Sequence, residues 1–279
     1  MSAAAQTTVA NLSEIISVSY EGPIATITLN TRTMAPVWFD ALDAACDAIA
    51  DAPSTRVVIL RGGHPKAFCY GLDLPKAFSE WGALFQGGDL VRGRTKLRQM
   101  ILKLQRPFKK LAALRIPTIA AVHGHCLGGG VDLISACDLR LATEDAIFSV
   151  REVKIAIVAD LGSLQRLPPI IGLARTRELA YTGRDIDAAK AERYGLVNEV
   201  LADKAALDEA ALKLAHEIAA NPPLTVQGVK AVLDYAENHS IDEGLDYVAA
   251  WNAAFLPSQD LAEAMSAFMA RRDPIFKGH

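Results

Sequence analysis

One stretch constrains the fold more than any other: Pro117-Thr-Ile-Ala-Ala-Val-His-Gly-His-Cys-Leu-Gly-Gly-Gly-Val-Asp132. A short apolar run passes through three consecutive glycines and ends on an acid that opens a helical pattern over 131–136. A strand that turns through glycine into a helix leaves backbone N–H groups free at the helix start, where negative charge is favoured. A carboxylate in that first turn stands close to whatever the N–H groups hold. The combination suits chemistry in which an oxygen becomes negative while a proton moves.

The flanking patterns place this stretch in an α/β fold. Runs 15–20 and 24–29 are β-branched and separated by Glu21-Gly22-Pro23, which predicts a hairpin. Pro36 opens a helical pattern over 37–50, and 57–60 reads as a buried strand ended by Arg61-Gly62-Gly63. Residues 66–74 read as a loop. Residues 79–93 carry scattered glycines without a firm period, which predicts a mobile or insertion-like segment over a pocket. A long helix follows over 94–114, broken at Arg115-Ile116-Pro117. Runs 139–142 and 147–150 predict strands around a turn at Thr143-Glu144-Asp145, and the alternation to about residue 200 argues for a mostly parallel sheet. Four amphipathic helical patterns, 204–220, 224–237, 241–256 and 259–271, complete the chain. The expected organisation is a flexible leader at 1–13, a core at 14–203 and a helical domain at 204–279.

Length and charge narrow the function. A chain of 279 residues, 51% hydrophobic, buries a sizeable core. Its net charge of −3 favours neither nucleic acid nor an anionic membrane as partner. No apolar run is long enough to predict a transmembrane helix. Cys46, Cys69, Cys126 and Cys137 show no paired or zinc-ligand spacing and read as reduced thiols. The N-terminal residues lack the basic and apolar regions of a signal peptide, and His279 supplies no peroxisomal address, so the expected location is cytoplasmic.

The glycine run matches neither a phosphate-binding loop nor a dinucleotide fingerprint. By itself it reads equally as a tight turn for close helix packing. Three acids shift that balance: Asp132, Glu152 and Asp160, the last two in a largely apolar surround. Asp160, ahead of Leu161-Gly162-Ser163, is either a helix N-cap or a cavity-facing acid. If all three share a dry pocket, burial and mutual repulsion raise at least one pKa and create an acid and a base near neutral pH. His123 and His125 would share one face of a strand, but no third ligand accompanies them; a packed pair is expected, and no metal. Nothing local lowers the Cys69 pKa, so it reads as a spectator.

Several motifs, in order, resemble the crotonase (enoyl-CoA hydratase/isomerase) superfamily. They are Lys66-Ala-Phe-Cys-Tyr-Gly-Leu-Asp73, the 117–130 stretch, Ala136-Cys-Asp-Leu-Arg140, Leu164-Gln-Arg-Leu-Pro168 and Ala191-Glu-Arg-Tyr-Gly-Leu-Val197. The resemblance implies a spiral of repeated ββα units with a C-terminal helical region that builds trimers, often paired into hexamers. It implies acyl-CoA thioesters as substrates, coenzyme A being part of the substrate and no other cofactor being needed. By motif, the thioester oxygen would be held by the backbone N–H groups of Cys69 and Gly129. Lys66, Ala67, Tyr70, Gly71, Leu72, Asp73 and Gly128 would surround the substrate. Hydratases of the family carry glutamates where this chain has Asp132 and Glu152. The additional Asp160 makes the chain most similar to the Δ3,5-Δ2,4-dienoyl-CoA isomerase branch, with Glu152 serving C2, Asp160 serving C6 and Asp132 in support. A 2-enoyl-CoA hydratase and a non-catalytic acyl-CoA-binding paralogue are the alternatives. Leu29-Asn-Thr-Arg-Thr-Met-Ala-Pro36 and Tyr70 depart from the family's usual pattern.

Overall fold

The structure is a computed structural model that describes residues 8–10, 14–85 and 90–279. Strands β1 (Thr8–Ala10), β2 (Ile16–Glu21) and β3 (Ile24–Leu29) form an antiparallel ribbon. Thr8–Ala10 of the expected leader is thus a strand; residues 1–7 and 11–13 lie outside the described residues. Four strands extend the ribbon in parallel: β4 (Val57–Gly62), β6 (Thr118–Val122), β8 (Leu139–Thr143) and β11 (Glu199–Leu201). A second sheet runs in the order β10 (Ile186–Asp187), β9 (Ile147–Ser149), β7 (His125–Leu127), β5 (Ala67–Cys69).

The chain visits the two sheets alternately. β4 and β5, β6 and β7, then β8 and β9 each give one strand to either sheet, and helical structure follows each pair. This is the repeated ββα plan that the resemblance implied. The turn at 143–145 therefore joins two sheets instead of closing a hairpin. Residues 140–143 are buried without alternation, as suits a strand covered on both faces.

Helix α1 (Pro36–Ala50) turns Trp38, Phe39, Leu42, Cys46 and Ile49 inward, apolar positions at helical spacing. Helix α2 (Leu74–Phe85) leads to α3 (Leu90–Ala112), whose Phe108 ring lies 6.2 Å from those of Trp38 and Phe39. Charges clamp the C-terminal half of α3 to α1. Arg106 and Lys110 both bond Asp43, Lys110 also bonds Asp47 at 2.7 Å, and Lys103 pairs with Asp40 at 2.9 Å. Residues 79–93, expected to be irregular, are helical where described, and 86–89 lie outside the described residues. Gly82 and Gly93 stand in open space, so neither glycine is there to make a turn. Ala77 and Trp81 packing inward outweighs the low helix propensity of Gly82.

Short helices α4 (Gly129–Ser135), α5 (Ser163–Ile171), α6 (Leu173–Thr182) and α7 (Ala188–Tyr194) surround the second sheet. Helix α8 (Lys204–Ala219) starts just past the expected core boundary. It lays Leu207, Ala211, Ala215 and Ala219 against Ile24, Val57, Ile59 and Ile119 of the seven-stranded sheet. Helices α9 (Pro223–Ala236), α10 (Ile241–Phe255) and α11 (Gln259–Ala270) follow, and buried Lys230 ties α9 to Ile116 O and Asp138. A reciprocal Ser240–Glu243 cap starts α10, and the Tyr235 and Tyr247 rings stack at 4.3 Å across α9 and α10. Among the described residues no helix is long and apolar enough to cross a membrane.

Candidate active site

The glycine turn sits where β7 of the second sheet enters α4. Gly128 has φ +54° and ψ −121°, a backbone region open to glycine and costly for other residues. Its N–H donates to Ser149 O at 2.8 Å, and its carbonyl accepts from Val131 and Asp132. Gly129 begins α4, so its N–H has no acceptor within the helix. Gly71 (φ +81°) presses close: a methyl there would lie 2.9 Å from Leu127 O and 3.1 Å from Gly129 N. A methyl on Gly130 would lie 3.0 Å from Cys69 O. The end of β5 and the start of α4 therefore pack against each other, bringing Cys69 beside Gly129.

The turn forms one wall of a cavity of about 430 Å³ that holds Asp132, Glu152 and Asp160 together. Asp132 is buried, and its Oδ1 accepts the Ser163 N–H at 2.6 Å. It thereby satisfies the first N–H of α5, so the N-cap alternative for Asp160 does not hold. Asp160 instead precedes Gly162, the residue at the α5 cap, and faces the cavity. Glu152 opens a single 3-10 turn, Glu152–Ile155, and a methyl on Gly128 would lie 3.2 Å from its Oε1. Next to it, Arg151 grips both Asp185 oxygens at 2.6 Å, anchoring this turn to the residue before β10.

Burial raises all three carboxyls. Glu152 is pushed up to about 7, first by burial and then by the Asp132 charge. Asp132 is raised by burial and further by Asp160, against the Ser163 N–H that favours its ionised form. Asp160 is raised by burial. Asp132 Oδ2 and Glu152 Oε2 are buried with no hydrogen-bond partner in the protein. The expected consequence of a shared dry pocket, a carboxyl poised near neutrality, is met at Glu152.

Of the other expected site residues, Tyr70, Gly71, Leu72, Gly128 and Gly129 line the cavity. Ala67 and Cys69 are buried in β5, and the Lys66 side chain is exposed. Asp73 caps α2, taking the Lys76 N–H at 3.2 Å and the Thr33 hydroxyl at 3.1 Å, so both its oxygens have structural work. His123 and His125 do not share a strand. Gly124 (φ +57°) parts them; His123 Nε2 bonds His64 O at 2.7 Å and His125 stacks on Tyr70 at 5.3 Å. Among the described residues no group of acids, cysteines and histidines is arranged to hold a metal. The Cys69 thiol is pushed up to about 12 by burial, leaving it inert.

Sequence reasoning missed the apolar half of the cavity. Leu97, Met100, Ile101 and Leu104 of α3 line it together with Trp81 and Phe39. Their helical period was legible, but which face met a ligand was not.

The family profile for enoyl-CoA hydratase/isomerase matches residues 19–279. The chain belongs to the enoyl-CoA hydratase/isomerase family. Within this family it is 45% identical over 239 residues to a peroxisomal Δ(3,5)-Δ(2,4)-dienoyl-CoA isomerase of Arabidopsis thaliana, covering 86% of each chain. It is 47% identical to a mitochondrial Δ(3,5)-Δ(2,4)-dienoyl-CoA isomerase of Dictyostelium discoideum, covering 83% of this chain and 78% of that one. Among solved structures, an enoyl-CoA hydratase of Bacillus anthracis superposes with a TM-score of 0.85 at 32% identity, covering 95% of this chain and all of that one. The two isomerase relatives bear peroxisomal and mitochondrial names, and this overturns the expected cytoplasmic location. The absence of a recognisable address in the sequence did not carry that conclusion.

Proposed function

We propose that the protein is a Δ3,5-Δ2,4-dienoyl-CoA isomerase. The observation that carries this reading is the division of labour among the three acids. Asp132 is committed to the α5 N-terminus through Ser163, which leaves Glu152 and Asp160 as a working pair along one apolar cavity. The thioester oxygen would lie against the N–H groups of Cys69 and Gly129. Glu152 takes the proton from C2, and the electrons spread over C2–C6 and the thioester oxygen as a dienolate. Asp160 then gives a proton to C6, moving both double bonds one carbon toward the thioester. Each fixed N–H aimed at the oxyanion is worth about 3–4 kcal/mol of barrier. Leu97, Met100, Ile101 and Leu104 supply the apolar surface for the acyl chain.

The unpartnered Asp132 Oδ2 and Glu152 Oε2 favour a second reading, a hydratase in which these two oxygens share the attacking water. One assay separates the readings. Purified protein with a 3,5-dienoyl-CoA should generate the conjugated 2,4-dienoyl absorbance. No such signal, with brisk hydration of a 2-enoyl-CoA, selects the hydratase.

We also propose assembly as a homotrimer or a dimer of trimers. Supporting it, Leu233, Ile241, Leu245, Met265, Phe268 and Met269 of α9–α11 are exposed, with Ile241 at 83% and Phe268 at 81%. Light scattering behind size exclusion should give three or six times the 29.9 kDa chain mass; a monomer mass would reject it.

A further inference from the structure

We infer that Gln105 is a positioning residue that sets Asp160 for proton delivery at C6, an inference that rests on the isomerase reading above. Gln105 Nε2 donates to the main-chain carbonyl of Asp160 at 2.7 Å, across 55 residues of sequence. A carbonyl only accepts, so the amide must present its NH2 to it.

Ala159 is buried in the core and Leu161 packs against that core, so the segment that carries Asp160 is anchored on either side of it, and Gln105 bonds the Asp160 peptide itself. Ala156 at φ +59° and Gly162 at φ +130° bracket the segment, and Val158 within it is 76% exposed. Its far end is fixed by the Ser163 N–H on Asp132, and the Asp160 peptide itself is fixed by Gln105. Gln105 is well placed to act as a tether. It lies on the part of α3 clamped to α1 by Lys103, Arg106 and Lys110, between Leu104, which lines the cavity, and Arg106. The same helix therefore meets the acyl chain and holds the acid assigned to the distal carbon. Glu152 has its own anchor in the neighbouring Arg151–Asp185 pair, and its carbonyl takes the Ile157 N–H at 3.0 Å, upstream of the Gln105 contact. Loss of the tether should disturb the C6 step and spare the C2 step.

Deuterium partitioning tests this. In D2O, Glu152 removes the C2 proton of a 3,5-dienoyl-CoA. The dienolate either takes a deuteron back at C2 or forms the C6–D bond from Asp160. Recovered substrate and product are analysed by mass spectrometry and NMR for wild type, Gln105→Met and Gln105→Leu, the two variants guarding against a folding failure in either. The variants should form product about 10- to 100-fold more slowly while deuterium enters C2 of recovered substrate within about twofold of the wild-type rate. Unchanged product formation, or an equal fall in both processes, overturns the inference. A wild-type protein that makes no 2,4-dienoyl product overturns the isomerase reading, and this inference with it.

Discussion

Replacing Asp132 by asparagine separates the two things its carboxylate does. The amide oxygen of asparagine can still accept the Ser163 N–H now held at 2.6 Å, so the start of α5 stays satisfied. What disappears is a negative charge beside Glu152. That carboxyl stands at about 7 rather than 4.5, with burial the larger cause and Asp132 the second. Loss of that charge should lower its pKa, on the order of one pH unit or about 1.4 kcal/mol. On the proposed isomerase mechanism, the competent form of the Glu152–Asp160 pair holds one proton, because the base must be empty and the acid loaded. kcat/KM is then bell-shaped, and its alkaline limb near pH 7 marks loss of the last proton. Asp132→Asn should move that limb down by about one unit and leave the rate on its acid side within about threefold. The 2,4-dienoyl absorbance followed from about pH 5 to about pH 9 reads it directly. A carboxyl whose pKa is raised by folding binds its proton more tightly in the folded state, so its ionisation costs stability as pH rises. Asp132→Asn removes that cost and should melt no lower than wild type in mild alkali. Asp132→Ala, which leaves the Ser163 N–H unsatisfied, should lose about 1–2 kcal/mol. An unmoved limb would refute the electrostatic support, and loss of turnover by more than about a thousandfold at every pH would make Asp132 a catalytic acid.

Further outcomes follow from the same geometry. Gly128→Ala places a methyl 3.2 Å from Glu152 Oε1 in a backbone region suited to glycine. It should cost about 1–3 kcal/mol in a denaturant melt and at least about tenfold in kcat; a fully active variant would show that the turn does not position Glu152. Lys230→Met breaks the ammonium's bonds to Asp138 Oδ2 at 2.8 Å and Ile116 O at 3.3 Å. Stability should fall by about 2–3 kcal/mol while activity per folded molecule is kept, and a neutral melt would reject the strut. Cys46, Cys69, Cys126 and Cys137 are all buried, and burial pushes every one of these thiols up. A maleimide should label none in the native protein and all four after denaturation.

The elements were legible wherever one periodicity ruled. The 24–29 strand, the Pro36 helix and the four C-terminal helices follow from a β-branched run, from Pro at a helix start and from apolar residues at helical spacing. Residues 79–93 depart from the expected irregular segment because local glycines oppose a helix that Trp81 and buried Ala77 stabilise by packing. The 143–145 turn was local and correct, yet which sheet each flanking strand joins is a long-range matter. The site divides in the same way. Asp132, Glu152 and Asp160 were visible as acids in apolar surroundings, but the partner that occupies Asp132, a backbone N–H from Ser163, has no signature in a side chain. Gln105 was invisible for the same reason, since its partner is the peptide carbonyl of a residue 55 positions away.

In the proposed mechanism Glu152 and Asp160, rather than Asp132 and Glu152, are the pair that moves protons. Asp160→Asn assayed against two substrates tests it most directly. Asparagine keeps the shape but cannot give up a proton, so conversion of a 3,5-dienoyl-CoA to the 2,4-dienoyl product should fall by about a thousandfold or more, while any hydration of a 2-enoyl-CoA is little changed. Isomerisation that survives in Asp160→Asn would contradict the account.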